Sequence, residues 1–257
     1  MNICKEIVSL FGLLILVLAI PRHSNAQVSI KDSIENVWLI HIGYTYHLTA
    51  ADMKARFGPS SNIHLGFGYK NKKNWIFGTE ISYFFGNTIN ENNVLANLVN
   101  SYGYIIGEDG SPADIIIQER GLMARAYGGK LLSILGYNKN SGILFSTGVG
   151  FLQHKFRIDA KAGLVPSLVG DYKKGYDRLS NGMMITQFIG YHFMHNRKVV
   201  NFTIGIECIE GFTQSRRSLD YDTGFMDTKK RLDILWGPKI IWELPLYRNA
   251  EQKIYYR

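Results

Sequence analysis

Three residues in the first half of the chain are of types that bind metals or transfer protons: His47, His64 and Glu80. Two imidazoles and a carboxylate can hold a metal ion or act as an acid and a base. Symmetric pairing of the segments that carry them places His47 opposite His64, and His64 opposite Glu80. Directly opposed side chains lie ~4.5–5.5 Å apart at Cβ. A shift of one residue in the register of either strand pair would separate these side chains. We therefore interpret the group as a polar cluster that fills an interior, and we expect no metal and no cofactor.

A second set of charged residues falls on the polar side of its segments: Glu80, Arg125, Glu207, Asp233, Lys239 and Glu243. If these side chains share one narrow interior, opposite charges must pair, because an unpaired buried charge is costly. We therefore predict a charge network that closes the interior to ions. A gated ion path built from the same charges remains an alternative.

Local signatures of catalysis are missing from the sequence, which contains no G-x-S-x-G motif. Because function must be judged from a site and not from a fold, we predict a non-enzymatic protein. An enzyme that uses polar residues at the rim of the interior remains the less favoured alternative.

A third set of residues lies in or beside the predicted connection 211–231 and combines basic and aromatic side chains: Arg216, Arg217, Tyr221, Lys229, Lys230 and Arg231. An isolated run of charges usually forms a solvated surface. Long loops that are ordered are often functional, so we predict that these residues bind a partner.

The elements that must position these residues are β-strands, and the segment 232–247 shows the pattern most clearly. Leu232, Ile234, Ile240 and the two tryptophans Trp236 and Trp242 share one parity, whereas charged residues take the other. Successive side chains of a strand point to opposite faces. The two tryptophans are six residues apart, which corresponds to ~20 Å. That distance is close to the ~25 Å apolar band of outer-membrane barrels, whose edges carry aromatic girdles.

Seven further segments alternate in the same way, and long and short connections follow one another between them. We predict strands at 37–48, 63–69, 75–85, 117–131, 142–158, 183–193, 200–209 and 232–247. Which face of the sixth strand points outward stays open. The fold class predicted is all-β, an eight-stranded antiparallel up-and-down transmembrane β-barrel with long external loops. A soluble β-sandwich or a lipocalin-like barrel is the alternative.

Glycine recurs on the polar parity of these strands, at Gly43, Gly66, Gly78, Gly150 and Gly205 among others. The interior of an eight-stranded barrel is just wide enough for side chains to fill. We predict that the glycines make room there for the larger charged residues.

Residues 1–26 have the features of a secretory signal peptide. Lys5 precedes the apolar run 7–20, and Ser24-Asn25-Ala26 offers small residues for cleavage after Ala26. We divide the remainder into a periplasmic N-terminal segment 27–36, a barrel 37–247 and a periplasmic tail 248–257. Only Cys208 follows the signal peptide, so no internal disulfide is expected.

The chain resembles the eight-stranded outer-membrane barrels, the group that includes the transmembrane domain of outer-membrane protein A. The resemblance covers about residues 37–247 and is carried by the alternating strands and the loop lengths. The tail is similar to that of Bacteroidota barrels, since Leu244-Pro245-Leu246-Tyr247 precedes a polar segment with Tyr255-Tyr256. It departs from the terminal Phe of proteobacterial barrels. The resemblance implies no catalytic residues.

These features predict an outer-membrane protein that serves as an accessory or structural subunit of a larger complex for secretion, assembly or import. A freestanding barrel for surface binding or adhesion is the alternative. We expect outer-membrane lipid and another outer-membrane protein as partners. The formal net charge of +8 could suit nucleic acid, but an exported protein does not meet it, so no nucleic-acid partner is expected.

Overall fold

The computed structural model describes residue 34 and residues 36–91, 93–195 and 201–246. Eight antiparallel strands form one closed ring, because β8 pairs with β1 as well as with β7. The strands are β1 (Val37–Ala50), β2 (Ser60–Lys70), β3 (Trp75–Gly86), β4 (Asp114–Leu132), β5 (Gly142–Ala162), β6 (Ser180–Met194), β7 (Asn201–Ser215) and β8 (Lys230–Leu246). The predicted eight-stranded up-and-down barrel is confirmed. The predicted signal peptide, tail and Tyr247 lie outside the described residues.

Several strands extend further toward the long loops than the sequence pattern predicted. β5 continues past Ile158 to Ala162, and β7 continues past Ile209 to Ser215. β2 begins at Ser60 and not at Ile63. These extensions carry polar side chains on their outer face, such as Lys161 and Gln214, so they show no alternation of apolar and polar residues.

The connections alternate in length as predicted. The four long connections lie at one end of the barrel, which we call the external end. Together they form the external cap, which comprises residues 51–59, 87–113, 163–179 and 216–229. The first contains a short helix, α1 (Ala51–Arg56). The second contains a tight turn at 107–111, in which the Gly107 N–H donates to the Ser111 carbonyl at 2.8 Å. Among the described residues no helix is long and apolar enough to cross a membrane.

The outer wall is apolar and carries two aromatic girdles. Trp38 stacks on Phe67 near the short turns, with ring centroids 5.0 Å apart, and Tyr83 stacks on Phe85 near the external cap. Exposed aliphatic residues fill the band between them, including Ile40, Ile42, Leu65, Ile81, Val149, Ile189, Ile204 and Ile240. On the sixth strand Met183, Ile185 and Ile189 are exposed, whereas Met184, Thr186 and Phe188 are buried. The facing of this strand is thereby settled.

The interior is filled in three layers, as a barrel of eight strands requires. An apolar layer near the short turns contains Ile76, Leu131, Leu144 and Phe188. The middle layer is charged and polar. A larger apolar layer at the external end joins strand residues such as Phe84, Leu152 and Leu235 to Phe57 and to residues of the external cap.

Candidate functional site: barrel interior and external cap

The centre of the interior is a compact group of four charges, which we call the ionic centre: Glu80, Arg125, Glu207 and Lys239. Arg125 contacts Glu80 at 2.8 Å and Glu207 at 2.6 Å. Lys239 donates to both carboxylates at 3.0–3.1 Å. All four side chains are almost completely buried. Two positive and two negative charges thus compensate each other in a region where unpaired ions would be costly.

The other two predicted members of the charge network lie in separate groups. Asp233 accepts hydrogen bonds from Thr213 at 2.5 Å and from His154 Nε2 at 2.9 Å, near the external end. Glu243 lies near the short turns, where Thr203 donates to it at 2.8 Å and His192 Nδ1 is 3.3 Å away. The structure therefore places all six predicted residues inside the barrel, in three groups and not in one.

The predicted pairing of the histidines is wrong. His47 pairs with Ser60, and His64 pairs with Gly43. His47 therefore does not belong to the cluster, and its Nε2 atom lies 3.9 Å from the Glu207 carboxylate. The error arose because the polar start of β2, Ser60 to Asn62, carries no strand pattern in the sequence, which shifted the centre of the hairpin.

His41 takes the place that was predicted for His47. The Glu80 Oε2 atom lies 3.4 Å from His41 Nε2 and 3.3 Å from His64 Nδ1. Glu80 itself pairs with Gly66 and not with His64, so the contact from His64 is diagonal. These distances are close, but neither imidazole is aligned for a hydrogen bond to Glu80 in the described structure.

Glycines on neighbouring strands make room for these imidazoles, as the sequence predicted in general form. His41 faces Gly66, and His64 faces Gly43. A Cβ atom at Gly43 would lie 2.6 Å from His64 Nε2, and one at Gly66 would lie 2.5 Å from His41 Cε1. Tyr127 likewise lies over Gly78, where a Cβ atom would be 2.6 Å from its hydroxyl.

The group His41, His64 and Glu80 has the composition of a metal site, and its ligand atoms lie within 4.8 Å of one another. Its surroundings oppose a cation, because Arg125 and Lys239 already neutralise Glu80. A small cavity of about 30 Å³ borders His41, Glu80 and Arg125. That volume suits one or two water molecules, so the geometry favours a hydrated polar filling over a metal centre.

At the external end, α1 and the residue after it cover the interior. Arg56 points inward, where it contacts Ser180 at 3.2 Å and Asp233 at 3.5 Å. Burial lowers the pKa of the Arg56 guanidinium, while the Asp233 carboxylate acts in the opposite direction. Phe57 is fully buried beneath the helix and packs on Phe156. Sequence reasoning missed this cover, because the segment has neither a helical repeat of useful length nor a charge pattern.

The external cap is tied together by ion pairs. Arg178 contacts Glu91 and Asp222, which belong to two other connections. Arg217 holds Asp177 through two contacts of 2.5 and 2.6 Å. The buried residues Val94, Leu95, Val165 and Leu168 of the cap share one hydrophobic core with the strands. The cap is therefore packed as a continuation of the barrel core.

The predicted partner-binding residues are more engaged within the protein than expected. Arg217 and Arg231 form ion pairs with Asp177 and Asp227, and Tyr221 packs edge-on against Tyr176. Lys229 contacts Asp52 at 3.0 Å, and Arg216 donates to Asn181 at 2.5 Å. Lys230 is exposed at the start of β8. Hydrogen bonds from the Leu232 N–H and from Lys229 lower the pKa of Asp52.

Exposed apolar side chains are a feature of the cap that sequence reasoning did not single out. Tyr102 is 83% exposed, Tyr172 is 64% exposed and Phe225 is 77% exposed. A groove of about 500 Å³ in the cap is lined by residues that include Leu164, Val169 and Tyr172. Aromatic residues in a connecting loop could have suggested this surface, but its exposure depends on the packing of the cap.

No protein-family model matches the chain, and no curated protein matches it in sequence. Similar solved structures include Neisserial surface protein A (NspA), with 8% identity and a TM-score of 0.41 over 80% of this chain and 96% of that chain. Ail, the attachment invasion locus protein of Yersinia pestis, has 11% identity and a TM-score of 0.42 over 81% and 99%. The outer membrane protein OprG from Pseudomonas aeruginosa has 12% identity and a TM-score of 0.37 over 83% and 98%.

These three neighbours are small eight-stranded outer-membrane β-barrels. At such low identity the likeness concerns the shape of the barrel alone, and the architecture of this chain rests on its own strand pairing. The resemblance to the outer-membrane protein A group and to Bacteroidota tails stays a prediction.

Proposed function

We propose that this protein is a non-enzymatic outer-membrane barrel that binds another outer-membrane protein through its external cap, as an accessory or structural subunit of a larger complex. The observation that carries the proposal is a tightly packed cap that exposes aromatic side chains above a filled interior. The proposal has three parts: the membrane, the filled interior and the cap.

The distribution of polarity supports placement in a membrane. A soluble barrel buries apolar residues and exposes polar ones, whereas here charged residues are buried at the centre and aliphatic residues are exposed around the wall. Soluble monomers rarely expose a contiguous apolar surface of this kind. A closed ring of strands also satisfies every backbone group of the wall internally, as a lipid environment requires.

The filled interior argues against a role for the lumen itself. The ionic centre compensates its own charges, and apolar layers lie on both sides of it. An ion that moved along the axis would have to pass Phe188 and Leu131 at one end and the cover of α1 at the other. We therefore assign the function to the outer surface of the protein and not to its interior.

The cap offers that surface in a preorganised form. Arg178 ties three connections together, so little conformational entropy remains to be lost when a partner binds. Exposed aromatic residues such as Tyr102, Tyr172 and Phe225 are of the type that supplies most of the energy at protein interfaces. The position of these side chains at the external end suits a partner that projects above the membrane.

Photo-crosslinking in intact cells tests the proposal. A photoreactive residue in place of Tyr102, Tyr172 or Phe225 should give a discrete adduct with one outer-membrane protein. The same residue in place of Leu135 or Tyr137, which are 83% and 60% exposed at the opposite end, should give no such adduct and serves as the matched control. Substitution of Tyr102 and Phe225 by Ser should also release the barrel from its complex on native gels. If the wild-type protein runs only as a monomer and the cap positions give no adduct, the subunit proposal is wrong.

The alternative of a freestanding surface-binding barrel is favoured by one observation. The basic residues Arg216, Lys229 and Lys230 lie at the cap and belong to a connection and a strand start that point away from the membrane. In that case the wild-type protein would be a monomer on native gels, and substitution of Arg216, Lys229 and Lys230 by Gln would abolish adhesion of whole cells to their target surface.

A further inference from the structure

The outer wall of β3, β4 and β5 changes from apolar to basic within a single step along the strands. Tyr83, Leu122 and Gln153 form one row across the three strands. In the next outward-facing row toward the cap, Arg120 stands between Phe85 and Lys155. The basic residues therefore begin within the external aromatic girdle, in the row of Phe85, at the level where the headgroups of lipids meet a barrel wall.

Arg120 and Lys155 are direct partners in the β4–β5 ladder. Like charges that face each other across two strands destabilise a sheet. Arg120 donates to neutral acceptors, the Glu119 carbonyl and the Gln118 side chain, both at 2.6 Å. Among the described residues no ion pair with a carboxylate relieves Arg120. The Arg120 guanidinium also lies 5.9 Å from the centre of the Phe85 ring, but that contact does not offset its repulsion from Lys155, whereas an anion bound between the two cations would.

These two side chains line a groove of about 360 Å³ together with Arg157 and Lys173. Two carboxylates also line the groove, Asp159 and Asp177. Asp159 pairs with Arg157 at 2.6 Å. Asp177 is already held by Arg217 at 2.5 Å, and Lys155 lies 3.8 Å from it. The groove therefore keeps an excess of positive charge that its own acidic residues do not balance.

An apolar furrow continues from the groove down the wall. The basic groove shares Tyr83, Leu122 and Gln153 with an apolar groove of about 540 Å³. That groove in turn shares Ile81, Ala124 and Phe151 with a further one of about 780 Å³. The furrow exists because Ala124 is small, while its ladder partners Ile81 and Phe151 are large.

We propose that this surface binds one phosphorylated glycolipid of the outer leaflet, lipid A, with its phosphates between Arg120 and Lys155 and its acyl chains along the furrow. Guanidinium groups match the geometry of phosphate oxygens well. The four cationic and two acidic side chains of the groove leave two positive charges in excess. That excess is more than the single negative charge of a phosphodiester balances, whereas a headgroup with two phosphates supplies enough negative charge. The furrow spans two grooves and so accommodates more than one acyl chain. The inference uses the placement of the barrel in an outer membrane but does not depend on the protein partner.

Native mass spectrometry of the purified barrel in a maltoside detergent tests the assignment. We expect the wild-type protein to retain added diphosphoryl lipid A. Arg120→Gln with Lys155→Gln should weaken retention about tenfold or more, since each basic residue near a headgroup attracts an anionic lipid. Lys72→Gln with Lys73→Gln removes the same charge from the opposite end of the barrel and is the matched control, which should retain the lipid as the wild type does. Heat-modifiable migration on gels shows that each variant is folded.

A comparison of ligands keeps the test decisive even if a variant does not fold. Wild-type protein should prefer diphosphoryl lipid A over lipid A from which the phosphates have been removed, and over phosphatidylglycerol. Equal retention of the dephosphorylated lipid would overturn the role of the basic groove, and equal retention of phosphatidylglycerol would overturn the choice of lipid A. Two results together would mean that another barrel occupies the furrow. A photoreactive residue at position 124 would form an adduct with a protein in cells, and the double variant would retain lipid A as well as the wild type does. Any of these results would leave the proposed function of the cap intact.

Discussion

The imidazole of His41 lies over Gly66 on the neighbouring strand, in the space that a side chain at Gly66 would fill. The same relationship holds in reverse between His64 and Gly43. Each strand thus contributes one imidazole and one glycine, and both rings approach the same oxygen of Glu80. The glycines of the interior are therefore matched to individual neighbours and are not interchangeable spacers.

Gly66→Ala should destabilise the barrel by about 1–3 kcal/mol, the usual cost of overpacking a filled interior. The added Cβ atom would lie 2.5 Å from His41 Cε1 and 2.6 Å from the Thr79 carbonyl oxygen. Gly68→Ala is the control, because its nearest neighbour would be the Tyr127 hydroxyl at 3.1 Å. Urea unfolding in lipid vesicles measures both free energies. Equal losses for the two variants would show that His41 does not require the glycine.

Arg125→Gln should cost about 3–5 kcal/mol in free energy of unfolding, because it leaves the two buried carboxylates with Lys239 as their one strong counter-charge in the ionic centre. Arg125 is the one residue that contacts both Glu80 and Glu207 at 2.8 Å or less among the described ion pairs. The control is Arg157→Gln, which breaks a half-exposed pair with Asp159 and should cost about 0–1 kcal/mol.

The same unfolding measurement offers a check on the cause. Adding Glu207→Gln to Arg125→Gln removes the uncompensated charge and should recover part of the lost stability, as coupled neighbours do. If Arg125→Gln costs no more than Arg157→Gln, the ionic centre does not hold the interior together.

Strand parity was readable from the sequence because the wall and the interior differ so strongly in polarity. Trp236, Ile240 and Trp242 face outward as predicted, and Asp233 and Glu243 face inward. The sixth strand gave no clear parity. Thr186 lies inside and Gln187 outside, so polar residues occur on both of its faces.

The register between neighbouring strands, and the depth of each charged side chain along the barrel axis, could not be predicted in the same way. His47 was placed beside His64 because the polar residues Ser60 and Asn62 did not look like part of a strand. The division of the charged residues into three groups depends on how far each strand is shifted along its neighbour around the ring. The alternation of apolar and polar residues does not show that shift. The apolar layer near the short turns was missed for a related reason. The sequence of the sixth strand does not show which way Phe188 points, and an interior expected to be filled by charges and glycines has no place for aliphatic residues such as Leu131.

Arg178→Gln should loosen the external cap without unfolding the barrel. Arg178 joins Glu91 and Asp222 from two other connections, so its loss should expose the connections to protease. Limited chymotrypsin digestion of protein in vesicles should cut the variant faster than the wild type and leave the strands intact, and neither substitution removes a site for this protease. Lys174→Gln is the control in the same connection, because its partner Asp171 is almost fully exposed, and it should be cut at the wild-type rate. A variant as resistant as the wild type would mean that hydrophobic packing alone fixes the cap.

Planar-bilayer recordings of the purified wild-type barrel test most directly whether the interior is filled or conducts ions. The ionic centre, the layer around Phe188 and the cover of α1 predict that insertion produces no steady current. A sixteen-stranded porin in the same bilayers shows that open channels would be detected. A steady and reproducible single-channel conductance that Arg125→Gln alters would contradict the filled interior and would favour the gated ion path.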